Sequence, residues 1–506
     1  AVSGPVGSNL ESTSPGSQTI ASGTTSTAPT STTGPEGLAA PSSTSNAIVL
    51  ENQKQGSPES EWALKGGVGD TNIQGFATNI SVNHGDTIDF KIATDSTKYR
   101  LDIYRIGYYG GAGARKVDSI EKPLTTAQVQ PHPIVDYSVG LIDCGNWSVS
   151  ASWDVPDDAV SGVYFAKLVR EDGTSGENMI PFIVRNDEDK SDITFQTSDT
   201  TWQAYNAWGG ASLYYGNVPL NPDDMISYVP PNCSCGLTAI GRAYKVSYNR
   251  PFITTTSPTG GPWDFIFGAE YPAIRWLEQN GYDINYISGV DSARDGAQLL
   301  NTKAFLSVGH DEYWSAEQRA NVEAARDAGV NLAFWSGNEA YWKIRWETSI
   351  DGSGTPYRTL VSYKESLAHA DIDPSNTGTG TWRDPRFADP GQEPENSLTG
   401  TMFMVDSYRR DKITVPYDMS NLRFWRNTDI ANLQPGETGT LAPYLLGYEW
   451  DSDVDNGFRP DGLINMSLST VNVDTLLQDY GSTVGPGTAT HSLTLYRAES
   501  GALVFG

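Results

Sequence analysis

At 506 residues, 38% of them apolar and 11% aromatic, the chain is long enough for two or three domains with substantial cores. Its 34 Lys and Arg face 61 Asp and Glu, and the resulting net charge of −27 repels nucleic acid and anionic membrane surfaces, so neither is an expected partner. The longest apolar runs are strand-sized, far short of the roughly 20 residues a membrane helix needs, and no membrane insertion is expected.

Residues 1–46 are rich in Ser, Thr, Gly, Pro and Ala and read as a disordered, solvated stalk of a secreted, extracellular protein. Between 47 and 188 short alternating runs, at 80–82, 87–93, 100–107, 147–153, 162–170 and 179–184, are separated by Gly, Pro, Asn and Asp. That pattern predicts a β-sandwich. Tyr104, Tyr108 and Tyr109 beside Gly110-Gly111 read as its core and turn residues rather than as a carbohydrate platform. Cys144, Cys233 and Cys235 make no metal framework. Cys233-Ser234-Cys235 is too tight for a zinc clamp, so either Cys144 forms a disulfide with Cys233 or Cys235, or all three thiols are free.

From 189 to 506 apolar strands alternate with helical periods, which predicts an α/β domain on a largely parallel sheet. Strands are expected at 193–197, 264–267, 284–287, 304–308, 331–335, 444–448 and 491–505, and helices at 271–280, 291–300 and 315–328. The chain stops on the apolar run Ala502-Leu503-Val504-Phe505-Gly506, which reads as a domain truncated at its C-terminus.

Chemistry concentrates where two predicted strands end. Phe305-Leu306-Ser307-Val308-Gly309-His310-Asp311-Glu312 and Phe334-Trp335-Ser336-Gly337-Asn338-Glu339 flank one helical stretch, a β-α-β unit whose carboxyl ends are the natural ligand edge. His310 and Glu312, two residues apart in extended chain, point to the same side. A thiol mechanism on a strand-to-helix turn is excluded because no cysteine follows Cys235, and neither Gly-x-Ser-x-Gly nor His-Glu-x-x-His occurs. Tyrosines and carboxylates remain.

The stretches Thr201-Trp202-Gln203-Ala204-Tyr205-Asn206-Ala207-Trp208-Gly209-Gly210, Tyr244-Lys245-Val246-Ser247-Tyr248-Asn249-Arg250-Pro251, the His310 segment and Leu446-Gly447-Tyr448-Glu449-Trp450-Asp451 carry a resemblance. In this order they resemble the large (beta) subunit of N,N-dimethylformamidase and secreted proteins sharing its catalytic region, over residues 190–506. The resemblance implies a three-layer, glutamine-amidotransferase-like α/β domain and a mononuclear iron (Fe3+) held by two tyrosines and a glutamate. Carried over by motif, the metal ligands look like Tyr205, Tyr248 and Glu312, and the accompanying catalytic groups like His310, Asn338 and Glu449. Tyr244 competes with Tyr248, and Tyr214 and Tyr215 with Tyr205.

Phenolates and a carboxylate are hard oxygen donors suited to ferric iron. An open position on such an ion could polarise an amide carbonyl, with Glu449 taking a proton from water and His310 and Asn338 donating to the oxyanion. The implied function is a secreted metal-dependent hydrolase of a C–N amide bond. The stalk and the sandwich depart from a degrader of a small solvent molecule. A polymer-binding enzyme acting on a glycan or peptide, or a non-catalytic surface or filament protein, therefore stays open, as does a homo-oligomeric assembly. Asp311 and Glu339 add further acids at the site and leave another cation open.

Overall fold

The computed structural model describes residues 46–228, 235–253, 265–387 and 393–506. The expected stalk therefore lies outside the described residues except for Asn46, whose side chain caps the helix Ala47–Asn52 by accepting from the Val49 amide at 2.8 Å. Residues 45–506 form one compact unit.

In the region expected as a sandwich, two sheets share a core. One sheet orders Ile73–Ala77, Thr87–Thr94 and Ala151–Asp154; the other orders Ser81–Asn83, Glu177–Arg185, Gly162–Arg170, Lys98–Ile106 and Ala114–Pro123. Alternation sets which side chains go inward: Ile88, Phe90 and Ile92 of one strand share a core with Leu101, Ile103 and Phe182 of the facing sheet. Cys144 is a buried free thiol, so the expected bridge to Cys233 or Cys235 is not formed; Cys233 lies outside the described residues.

The second region is built on a seven-stranded sheet ordered Ile284–Ile287, Ile193–Gln196, Ala304–Gly309, Asn331–Ser336, Leu503–Phe505, Thr494–Arg497 and Ile464–Asn465. The first five are mutually parallel and the last two pair antiparallel. Pairing of Ala304–Gly309 with Asn331–Ser336 sets Gly309 beside Ser336, so the chain leaves both strands at one edge. The crossover helix Ala316–Asp327 starts where Ser315 Oγ accepts from the Gln318 amide at 3.2 Å.

The largely parallel expectation holds for that centre alone. The described residues are mostly β, in several sheets with few helices. One four-stranded sheet joins Lys245–Ser247, Thr359–Val361, Trp342–Glu347 and Tyr313–Ser315, and another joins Glu449–Ser452, Met402–Asp406, Ser469–Leu477 and Val484–His491. Sequences such as Ser469-Thr470-Val471-Asn472-Val473 alternate at strand period and carry no helical stripe. Three local expectations also change. Residues 265–267 form a turn, 444–448 is irregular apart from a single bridge at Leu446, and the helix expected at 291–300 divides into Gly289–Arg294 and the 3-10 segment Gly296–Asn301.

The sandwich and the second region pack against each other through one continuous core. Trp62 and Phe165 share it with Phe267, Tyr271 and Leu306, and Trp62 stacks on Phe267 with centroids 5.9 Å apart. The fully buried Arg105 and Glu278 pair through Nη2–Oε1 at 2.7 Å and Nη1–Oε2 at 3.0 Å. No helix among the described residues is long and apolar enough to cross a membrane.

Candidate active site

Two strand ends and one turn create the site. After Ala304–Gly309, Gly309 adopts φ 107°, a conformation in which a Cβ would collide with Ser198 Oγ, so glycine is required there. The turn is pinned by the Glu312 amide donating to Thr201 Oγ1 at 3.2 Å and by the Trp342 amide donating to the Glu312 carbonyl at 2.7 Å. The segment after Asn331–Ser336 is thereby sewn to the segment after Ala304–Gly309, since the Ala340 amide also donates to the Asp311 carbonyl at 2.9 Å.

Glu312, nearly sealed from solvent, is the hub. Tyr205 donates its hydroxyl to Oε1 at 2.9 Å, Tyr214 donates to Oε2 at 3.0 Å, and His310 Nδ1 lies 2.9 Å from Oε1. Tyr205 reaches it from the end of the helix Asp199–Tyr205, and the Tyr205 and Tyr214 rings stack with centroids 4.3 Å apart. Tyr313 donates onward to Tyr214. His310 Nε2 sits 3.1 Å from Glu449 Oε2. The imidazole therefore lies between two carboxylates. Although burial works against its charge, the hydrogen bonds to Glu312 and Glu449 hold its pKa well above the ordinary histidine value. Burial likewise opposes ionisation of Glu312, yet the His310 hydrogen bond and the charges of His310 and Lys364 keep its pKa below the usual range. Both phenols move the opposite way, pushed well above the tyrosine range by burial of the hydroxyl and by the Glu312 charge.

Five of the six sequence-predicted groups lie along this rim. Asn338 stands at the adjoining turn in a left-handed conformation (φ 55°), its amide donating to Asp451 Oδ1 at 2.9 Å and its buried Oδ1 without a partner. Glu449 arrives from the expected edge but by another route: it begins the antiparallel strand Glu449–Ser452, with Asp406 as its cross-strand neighbour. Tyr248 does not join them. Its hydroxyl donates to Asp199 Oδ2 at 2.8 Å, and Asp199 in turn accepts from the Gly289 amide at 2.6 Å. The second phenol on Glu312 is Tyr214, which the sequence offered only as an alternative to Tyr205 and not to Tyr248.

Asp311 and Glu339 turn toward each other's partner. Ser307 Oγ lies 2.9 Å from both Asp311 Oδ2 and Glu339 Oε1. One hydroxyl carries one proton, so at least one of these acids must be protonated to complete both bonds. Burial raises Asp311 to about 8 and Glu339 well above the usual range.

Lys364 had no sequence signal beyond its charge. It is buried at φ 52°, its Nζ 3.5 Å from the centroid of the Tyr214 ring and without a hydrogen-bond partner, and burial drives its pKa well below that of an ordinary lysine. Among the described residues no group of three or more His, Cys, Asp or Glu is placed to hold a metal ion, so an ion at Glu312 would need the phenols as ligands.

A sequence model of the family described as "N,N-dimethylformamidase beta subunit-like, C-terminal" matches residues 100–506. No curated protein matches the chain. Among solved structures, a Paenibacillus sp. cycloisomaltooligosaccharide glucanotransferase complexed with cycloisomaltoheptaose aligns at 10% identity and a TM-score of 0.15, covering 59% of this chain and 35% of that one. The chain thus spans about a third of that structure's length.

Proposed function

The chain belongs to the N,N-dimethylformamidase beta subunit-like family, and we propose that it hydrolyses the C–N bond of amides with iron held by Tyr205, Tyr214 and Glu312. The observation that carries this reading is the gathering of two phenol hydroxyls, one on each oxygen of a single buried carboxylate. In that setting two phenols keep protons that a hard cation would displace, and the all-oxygen donor set suits ferric iron better than a soft metal. Bound there, iron would supply Lewis-acid polarisation of an amide carbonyl.

The chain's own residues account for the proton transfers. Glu449, partly open to the cavity, takes a proton from the attacking water as the C–O bond forms. The proton passes to the nitrogen as the C–N bond breaks, giving a carboxylic acid and an amine. With a carboxylate on each ring nitrogen, His310 orients Glu449 rather than donating to the oxyanion. Asn338, with its unpartnered side-chain oxygen, is the group left to accept from the N–H of a primary or secondary amide. We read the five parallel strands and their crossover helices as the glutamine-amidotransferase-like element of the fold, and the composition of residues 1–46 as favouring an extracellular location.

Amine release from N,N-dimethylformamide and other small amides by the iron-loaded chain tests this reading. Wild type is expected to turn over, and Glu449→Gln to lose roughly 10² to 10⁴ in kcat while keeping its iron. Iron-containing protein that releases no amine from any amide would overturn the proposal.

A further inference from the structure

Two cavities of about 500 and 350 Å³ meet at the site and share Gly309, His310, Trp335, Gly447 and Glu449. The His310–Glu449 pair therefore stands between two spaces rather than at the bottom of one. Cavities of roughly 300–1,000 Å³ suit drug-sized ligands, and a methyl-substituted formamide would leave most of the larger one unfilled. Ile413, Leu446, Leu493 and Phe505 make much of its wall, and a fifth apolar group, Trp450, meets His491 edge-on with centroids 6.0 Å apart.

Beside these apolar groups the wall carries His491. It ends the strand Val484–His491, and burial pushes its imidazole down to about 4, so the ring is neutral at neutral pH. Its Nδ1 is sealed from solvent and has no hydrogen-bond partner. Leaving such an atom unsatisfied is costly, and because His491 lines the cavity the polar group of a ligand there would satisfy it.

Resting on the amide-hydrolase reading above, we propose that the substrate is a bulky amide. Its aryl or branched alkyl substituent fills the larger cavity, its scissile C–N bond sits at His310 and Glu449, and His491 hydrogen-bonds a polar group on that substituent. The smaller cavity, bordered by Arg410 and Tyr444, receives the other side of the amide.

The test compares N-(4-hydroxybenzyl)formamide, N-benzylformamide and N,N-dimethylformamide on the iron-loaded full chain. The benzyl amides are expected to exceed N,N-dimethylformamide in kcat/KM by roughly tenfold or more, the scale on which a filled apolar pocket discriminates. Leu445→Trp, at a half-exposed position of the larger cavity, should collapse that ratio, and His491→Phe should erase the advantage of the hydroxyl. Equal kcat/KM for all three amides, or ratios that neither variant moves, would overturn the proposal. If wild type hydrolyses none of them, binding of the hydroxybenzyl amide is read from tryptophan fluorescence, because Trp335 and Trp450 line the cavity. Binding that Leu445→Trp abolishes keeps the cavity assignment and removes the hydrolase reading; no binding to wild type removes the cavity assignment.

Discussion

Glu312 is a carboxylate to which three neighbours each offer a proton, and its choice of neighbours distinguishes the structure from the motif. The spacing of His310 and Glu312 was legible because side chains two apart at a strand end share a side. Tyr205 was legible because its motif follows the first strand of the parallel sheet. The second tyrosine was not, because Tyr214 and Tyr248 both lie in aromatic, turn-rich stretches and only the packing directs one to Glu312 and the other to Asp199. Tyr214→Phe should therefore weaken iron binding by roughly tenfold or more, as loss of a metal-site partner does, while Tyr248→Phe should leave iron content unchanged. Titration with a competing chelator checks this, and the reverse ranking would reinstate Tyr248 as the ligand.

At the scale of elements, the β-α-β unit around Ala316–Asp327 was readable from apolar runs and helical period, and its strands fall within one residue of expectation. The run 444–448 misled because five residues of apolar character suit an irregular segment packed on a core as well as a strand; Leu446 is indeed buried there without a strand around it. Glu270, at the start of the helix Glu270–Gln279, ties that helix to the site: Oε1 accepts from the Ser198 hydroxyl at 2.7 Å and from Trp202 Nε1 at 3.0 Å, while Oε2 has no partner. Burial raises its pKa to about 7 from the ordinary 4.5. Below about pH 4.5 folded and unfolded chains both hold this proton and it costs nothing. As pH rises toward 7 the unfolded chain releases the proton first, so stability falls through that window, and the cost is complete above the folded pKa. Glu270→Gln keeps the acceptor and removes the titration. Relative to wild type it should gain about 2.5 kcal/mol between pH 5 and pH 8, read from denaturant midpoints; a difference that does not vary with pH would show that Glu270 is not protonated in the fold.

Across the whole molecule, the sandwich and the sheet that carries the site share a core, which a division of the sequence by strand and helix pattern did not reveal. Arg105 of the sandwich reaches Glu278 of the helix Glu270–Gln279, and Tyr286 and Asn52 complete the Glu278 carboxylate at 3.0 and 2.8 Å. Arg105→Met strands a buried carboxylate and should cost about 3–5 kcal/mol, lowering a single cooperative transition in calorimetry. Two transitions, with the sandwich melting alone, would mean the shared core does not couple them. The most direct measurement is iron per chain, by elemental analysis with the visible spectrum, on purified wild type, Glu312→Gln and Glu339→Gln never exposed to chelator. Wild type and Glu339→Gln should hold about one iron with a phenolate-to-metal absorption band, and Glu312→Gln should lose both. Wild type that carries no transition metal, or equal loss from the two glutamate variants, would contradict the assignment of Glu312 and its phenols as the metal centre.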